Sequence, residues 1–143
     1  PLPPAPSQGS ETVLVVEDQD EVRGLVLAVL KNFGYRTLEA RSGEEALEVA
    51  LQHPGPIQLV LTDVVMPGMT GKDLAGRLAA VQPHVRMLFM SGYPADVISR
   101  QGLIEAGIGY LEKPFTPEAL AAKLREVLGA PRPASQKPPE NAS

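Results

Sequence analysis

Short runs apolar on both faces alternate along this chain with stretches whose apolar positions recur every three or four residues. Between Glu11 and Gly129 the alternation repeats five times, in units of about 20 to 25 residues, the spacing of strand–helix pairs. The first run, Thr12–Val16, has no polar face, as a central parallel strand must when helices cover both sides. Val22, Leu25, Val26, Val29, Leu30 and Phe33 then fall on one helical stripe, which Gly34 ends. Arg36–Ala40 predicts a second strand. Ser42, with Glu45 three residues on, is a capping-box start for a helix reaching about Gln52. After the loop His53-Pro-Gly-Pro56, Ile57–Asp63 predicts the third strand. Thr70 caps a helix over Gly71–Val81 with Leu74, Leu78 and Val81 inward, and Arg86–Ser91 predicts the fourth strand. Tyr93–Ala106 reads as a helix through Val97, Ile98 and Ile104, interrupted by Gly102. Ile108–Glu112 is the fifth strand, broken by Pro114. Thr116 and Pro117 open a last helix with Leu120, Leu124, Val127 and Leu128 inward, closed by Gly129-Ala-Pro131. Five parallel strands and five helices on both faces make an α/β, flavodoxin-like doubly wound sheet. The expected strand order is 2-1-3-4-5, with its switch point between strands one and three.

The ends of the chain depart from this rhythm. Residues 1–10 and 131–143 each carry four prolines among Ser, Ala, Gln and Gly, too little apolar surface to offset ordering entropy. The expected organisation is a flexible Pro-rich linker over 1–10, one domain over 11–129 and a flexible tail over 130–143. A start on Pro rather than Met suggests a piece of something longer, with the leader as an interdomain linker; the alternative reading is a processed terminus or a cloning scar. The whole chain of 143 residues favours one domain, and its 43% hydrophobic content is ordinary for a soluble fold. A net charge of −4 with interspersed signs leaves no basic footprint for nucleic acid. The absence of cysteine removes disulfides, thiolate zinc sites and cysteine nucleophiles and fits a cytoplasmic protein. No apolar run approaches a membrane span and no signal-peptide pattern is present, so no membrane contact is expected of this domain.

The strands end in chemistry. Strand one closes on Glu17-Asp18, strand three on Thr62-Asp63 before a Pro-Gly turn, strand four on Ser91-Gly92, and strand five on Glu112-Lys113. In a parallel sheet all four ends share one edge, where open α/β folds bind ligands. Carboxylates crowded there raise one another's pKa unless a cation sits among them, and Mg²⁺ is the hard, oxygen-seeking choice. Lys113 adds a point charge able to pair with Asp63 and later with a phosphoryl oxygen. Two acids for a cation, one to react and one lysine make a phosphoryl-transfer site with Asp63 as acceptor. Each feature alone is commonplace: acids favour helix starts, and Asp caps turns. Their joint appearance at four strand ends carries the reading. His53 and His84 flank prolines in loops and are read as surface residues, and Met87 and Phe89 as strand core.

Over about Thr12–Leu128 the chain resembles the receiver domain of two-component response regulators, the CheY-like fold. The motifs are Val-Val-Glu17-Asp18, Leu-Thr-Asp63-Val-Val-Met-Pro-Gly68, Met90-Ser91-Gly92 and Tyr110-Leu-Glu-Lys113-Pro114-Phe115. The resemblance implies that Asp63 takes a phosphoryl group from a phosphohistidine on a sensor histidine kinase or phosphotransfer protein. Small donors such as acetyl phosphate are conceivable substitutes. It implies Mg²⁺ held by Asp18, Asp63 and the backbone carbonyl of Val65, with Glu17 reaching the ion directly or through water. Ser91 would donate to the phosphoryl oxygen, and Ser91 with Tyr110 would form a coupled switch. The responding surface would be the last strand, the last helix and the helix between strands four and five, a surface also available for dimerisation. A cis Lys113–Pro114 peptide is implied as well.

Glu17 stands where the family often has a second Asp, and Ser91 where it often has threonine. Val65 is apolar and cannot orient a water, so slow self-dephosphorylation is expected. The Pro-rich leader, Ser91-Gly92-Tyr93-Pro94 and the short tail resemble the C-terminal receiver of hybrid sensor histidine kinases. On that reading the module is a switch rather than a conventional enzyme, while its parent chain would be a kinase. The alternatives are a stand-alone single-domain response regulator, an Asp-nucleophile phosphohydrolase of the haloacid dehalogenase type, and a docking module with a dead site. The phosphohydrolase wants a second acid where Val65 stands, and an intact Asp63, Asp18 and Lys113 set argues against the docking module.

Overall fold

Alternation along each strand builds two cores. Val13 and Val15 of β1 (Thr12–Val16), Leu59 and Leu61 of β3 (Leu59–Asp63), Leu88 and Met90 of β4 (Arg86–Ser91) and Leu111 of β5 (Gly109–Glu112) bury into one cluster. It is completed by α1 (Asp20–Asn32) and the last described helix, α4 (Pro117–Gly129), through Val26, Leu30, Leu120 and Leu124. The intervening residues Leu14, Val16, Val60, Met87 and Phe89 bury on the opposite face, under α2 (Gly43–Gln52) and α3 (Gly71–Val81). Each fully buried Leu, Val or Phe stabilises by about 1.5–3 kcal/mol relative to exposure. These statements rest on a computed structural model that describes residues 11–53, 55–63, 68–69, 71–91 and 109–129.

With β2 (Arg36–Ala40) the strands form one parallel sheet in the order β2-β1-β3-β4-β5. The doubly wound architecture and the order read from the sequence are therefore observed. Four of the five expected helices are seen among the described residues; the remaining one, with Val97, Ile98 and Ile104, lies outside them.

Local signals act largely as their chemistry requires. Ser42 Oγ accepts from the Glu45 N–H at 3.1 Å, and Thr116 Oγ1 accepts from the Ala119 N–H at 3.0 Å. Glu45 does not close a capping box on Ser42: its Oε1 accepts instead from the Arg41 N–H, one residue earlier, at 2.6 Å. Gly34 and Gly68 have φ of 92° and 84°, the left-handed region a side chain resists, and Gly34 ends the turn after α1. Arg86, at the start of β4, donates to the carbonyls of Val127 and Leu128, closing the C-terminal end of α4 across the sheet.

Two further expectations are corrected. The third strand begins at Leu59 rather than Ile57; Ile57 is buried, but its N–H donates to Gln82 Oε1 at 3.2 Å instead of joining the ladder. Leu25, placed on the inward stripe of the first helix, is 66% exposed, and Leu27 is buried in its stead. On the expected stripe Leu25 lies nearer the centre than Leu27, so periodicity points to the wrong leucine. The roll of α1 on the sheet overrides it.

Candidate functional site

The parallel register carries the acids to one place. Val16 pairs with Thr62, so the next residue of each chain segment, Glu17 and Asp63, meets at the carboxyl edge. Ser91 pairs with Glu112, which sets Lys113 beyond that same edge. One carboxylate oxygen from each of Glu17, Asp18 and Asp63 lies within 4.8 Å of the other two. Glu17 is 0% exposed and Asp63 7%, whereas Asp18 is exposed.

Lys113 Nζ lies 3.0 Å from Asp63 Oδ1 and 3.2 Å from Oδ2, and donates to Glu17 Oε1 at 3.3 Å. Its ammonium therefore bridges two buried carboxylates. Burial alone would lower the lysine pKa, but the attraction of Asp63 and then Glu17 outweighs it and holds the group above its ordinary 10.5. Glu17 is pushed above 4.5, first by burial and then by its hydrogen bond to and like charge with Asp63. The Gln19 N–H, 3.1 Å from Glu17 Oε2, and Lys113 pull the other way. The Lys113–Pro114 peptide is cis, as the resemblance implies.

Three carboxylates in this space carry more negative charge than one lysine balances. That excess, in all-oxygen donors, fits a hard divalent cation such as Mg²⁺. An exposed Asp18 beside two buried acids gives such an ion an open side toward solvent.

The structure thus brings together Glu17, Asp18, Asp63 and Lys113. Tyr110 is half-buried against the cluster that contains Phe89, its partner in the β4–β5 ladder. Ser91 closes β4, but its side chain, like Val65 and its carbonyl, lies outside what is described. Sequence reading missed Arg23, whose guanidinium binds Glu17 O at 2.9 Å, Asp20 Oδ1 at 2.7 Å and Glu39 Oε1 at 3.0 Å. Its only local signal is the acid three residues before it on the helix. His53 is half-buried and His84 exposed. No described helix is long and apolar enough to cross a membrane.

Comparison with known proteins agrees with this geometry. The family model described as response regulator receiver domain matches residues 13–125. Sensor kinase CckA of Brucella abortus is 42% identical over 120 residues, which are 84% of this chain and 13% of that protein. The chain therefore spans a small part of that relative's length. Response regulator receiver protein CpdR of the same organism is 28% identical over 116 residues, 81% of this chain and 95% of that one. Among solved structures, the receiver domain of hybrid histidine kinase CckA superposes with a TM-score of 0.68 at 33% identity, over 82% of this chain and 98% of that one. Chemotaxis protein CheY4 of Vibrio cholerae gives 0.71 at 30% identity, over 83% and 99%.

Proposed function

This chain belongs to the response regulator receiver domain family, and from that premise we propose that it is the phosphoacceptor of a two-component phosphorelay, with Asp63 as the acceptor. The observation that supports this most is the Lys113 ammonium seated on both oxygens of a nearly buried Asp63. An Asp63 oxygen attacks the phosphorus of a phosphohistidine on a sensor kinase or phosphotransfer protein. The O–P bond forms, the P–N bond breaks, and the imidazole leaves and takes up a proton. Lys113 then moves its attraction from the carboxylate to a phosphoryl oxygen, neutralising charge where it develops.

Asp18, Asp63 and the Val65 carbonyl would hold Mg²⁺, with Glu17 reaching it directly or through water. Bound there, the ion supplies further charge neutralisation for the transferring group. The Ser91 hydroxyl donates to the phosphoryl group, and Ser91 with Tyr110 relays the new charge to the last strand, the last helix and the segment between them. That surface is also the one for dimerisation. The domain proper is 11–129, flanked by Pro-rich linker and tail, and it works in the cytoplasm.

Similarity to the CckA receiver supports a place in a hybrid histidine kinase. The match across 95% of CpdR favours a second reading, a stand-alone response regulator. Acceptor status is tested by incubation with acetyl phosphate or phosphoramidate plus Mg²⁺, followed by intact mass. One added phosphoryl group, absent in Asp63→Ala, is expected. No addition with either donor, in folded and Mg²⁺-binding protein, overturns it.

A further inference from the structure

We propose that Arg23 is a positioning residue that fixes the Glu17-Asp18 turn for a divalent cation by tying it to the first turn of α1 and to the edge strand β2. This deepens the metal-site reading and rests on it. One planar guanidinium spans three elements: Nη1 on the carbonyl that ends β1 (Glu17 O), Nη2 on the first residue of α1 (Asp20 Oδ1), and Nε on β2 (Glu39 Oε1). The Arg23 side chain is 12% exposed, although those of Asp20 and Glu39 are 81% and 59% exposed. The fork is therefore packed in place while its anionic partners reach in from solvent.

The peptide it holds is the one leading to Asp18. Glu17 N–H donates to Ala40 O at 3.1 Å, carrying the β1–β2 pairing one step past the strand. Arg23 takes the carbonyl on the other side of the same residue. Both backbone groups of Glu17 are thus fixed, and so is the direction in which the chain leaves the sheet. Among the described residues no hydrogen bond or ion pair holds the Asp18 carboxylate, which is exposed. Its placement beside Asp63 has to come from the backbone. Groups that orient metal ligands without touching the ion typically set affinity by about 10- to 100-fold.

Charge alone predicts the opposite sign, which makes the proposal testable. Deleting a cation near a cation site strengthens Mg²⁺ binding by Coulomb's law, whereas loss of positioning weakens it. Lysine keeps the charge but offers a compact ammonium in place of a fork able to bond three acceptors in one plane. Amide ¹H–¹⁵N NMR titration with Mg²⁺ of the whole chain is the measurement, on wild type, Arg23→Gln and Arg23→Lys. Urea unfolding in EDTA checks that each variant is folded. Affinity should fall about tenfold or more in Arg23→Gln, and also fall in Arg23→Lys. Unchanged or tighter binding in Arg23→Gln, or wild-type affinity in Arg23→Lys, overturns the proposal. If Arg23→Gln does not fold, the Arg23→Lys result decides alone. Wild-type protein that binds no Mg²⁺ sinks the metal-site reading itself, and this inference with it.

Discussion

Lys113 Nζ sits within 3.2 Å of both carboxylate oxygens of Asp63, a residue 50 positions away, while also donating to Glu17. The lysine is thus the counter-ion of a buried acidic pair in the metal-free protein and, in the function proposed above, also the charge that meets the phosphoryl group. Its loss leaves two acids without their cation.

Lys113→Met is expected to destabilise the metal-free protein by about 1–3 kcal/mol, the cost of leaving buried polar groups unpaired. Urea unfolding in EDTA reads this directly. Saturating Mg²⁺ should recover most of the loss, because a second cation replaces the first. Labelling of Asp63 by acetyl phosphate should slow by about 10²-fold, the effect of removing one charge-stabilising donor, without weaker Mg²⁺ binding. Equal labelling rates in the two proteins would remove Lys113 from the chemistry.

Glu17 should make the stability of the metal-free protein fall as pH rises. Its native pKa is raised above 4.5 by burial and by Asp63, so the native state binds the proton more tightly than the unfolded chain does. The stabilisation is fully present below about 4.5 and is lost as pH climbs through the raised native value. Glu17→Gln lacks this titration, so its advantage over wild type in EDTA should grow from pH 4.5 to pH 7.5. Urea midpoints at several pH values measure it; a constant difference refutes it.

Gly109 is where β5 meets the last helix. A Cβ there would lie 2.7 Å from Val127 Cγ2 and 3.1 Å from Leu88 Cδ1. Gly109→Ala should therefore destabilise by about 1–3 kcal/mol through overpacking. Val127→Ala should recover part of that in the double variant, where the two single effects do not add. Additive thermal shifts would show that the clash is relieved elsewhere.

Tyr35 is buried with a hydroxyl that has no hydrogen-bond partner among the described residues. An unpaired buried hydroxyl costs free energy that a ring alone does not. Tyr35→Phe should accordingly raise stability, by about 1 kcal/mol, with labelling of Asp63 unaffected. A loss of stability on urea unfolding would reveal a bond to that hydroxyl.

Much of the molecule was legible before its coordinates. Runs such as Thr12–Val16 are apolar on both faces, which only a sheet covered twice can bury, and the parallel order follows from the helices between them. Because parallel strands end at a common edge, Glu17, Asp18, Asp63 and Lys113 could be gathered from three separate places in the sequence. The exact register that sets Glu17 against Asp63 came only with the structure. The tertiary structure alone decided that Leu27 rather than Leu25 is buried, since periodicity favours Leu25 and only the roll of α1 on the sheet overrides it. It alone placed Arg23 on Glu17 O and Glu39, and Glu45 on the Arg41 N–H rather than Ser42. Long polar side chains can reach several acceptors at similar cost, so their partners are set by how packed elements stand against one another. Periodicity in the chain does not record that arrangement.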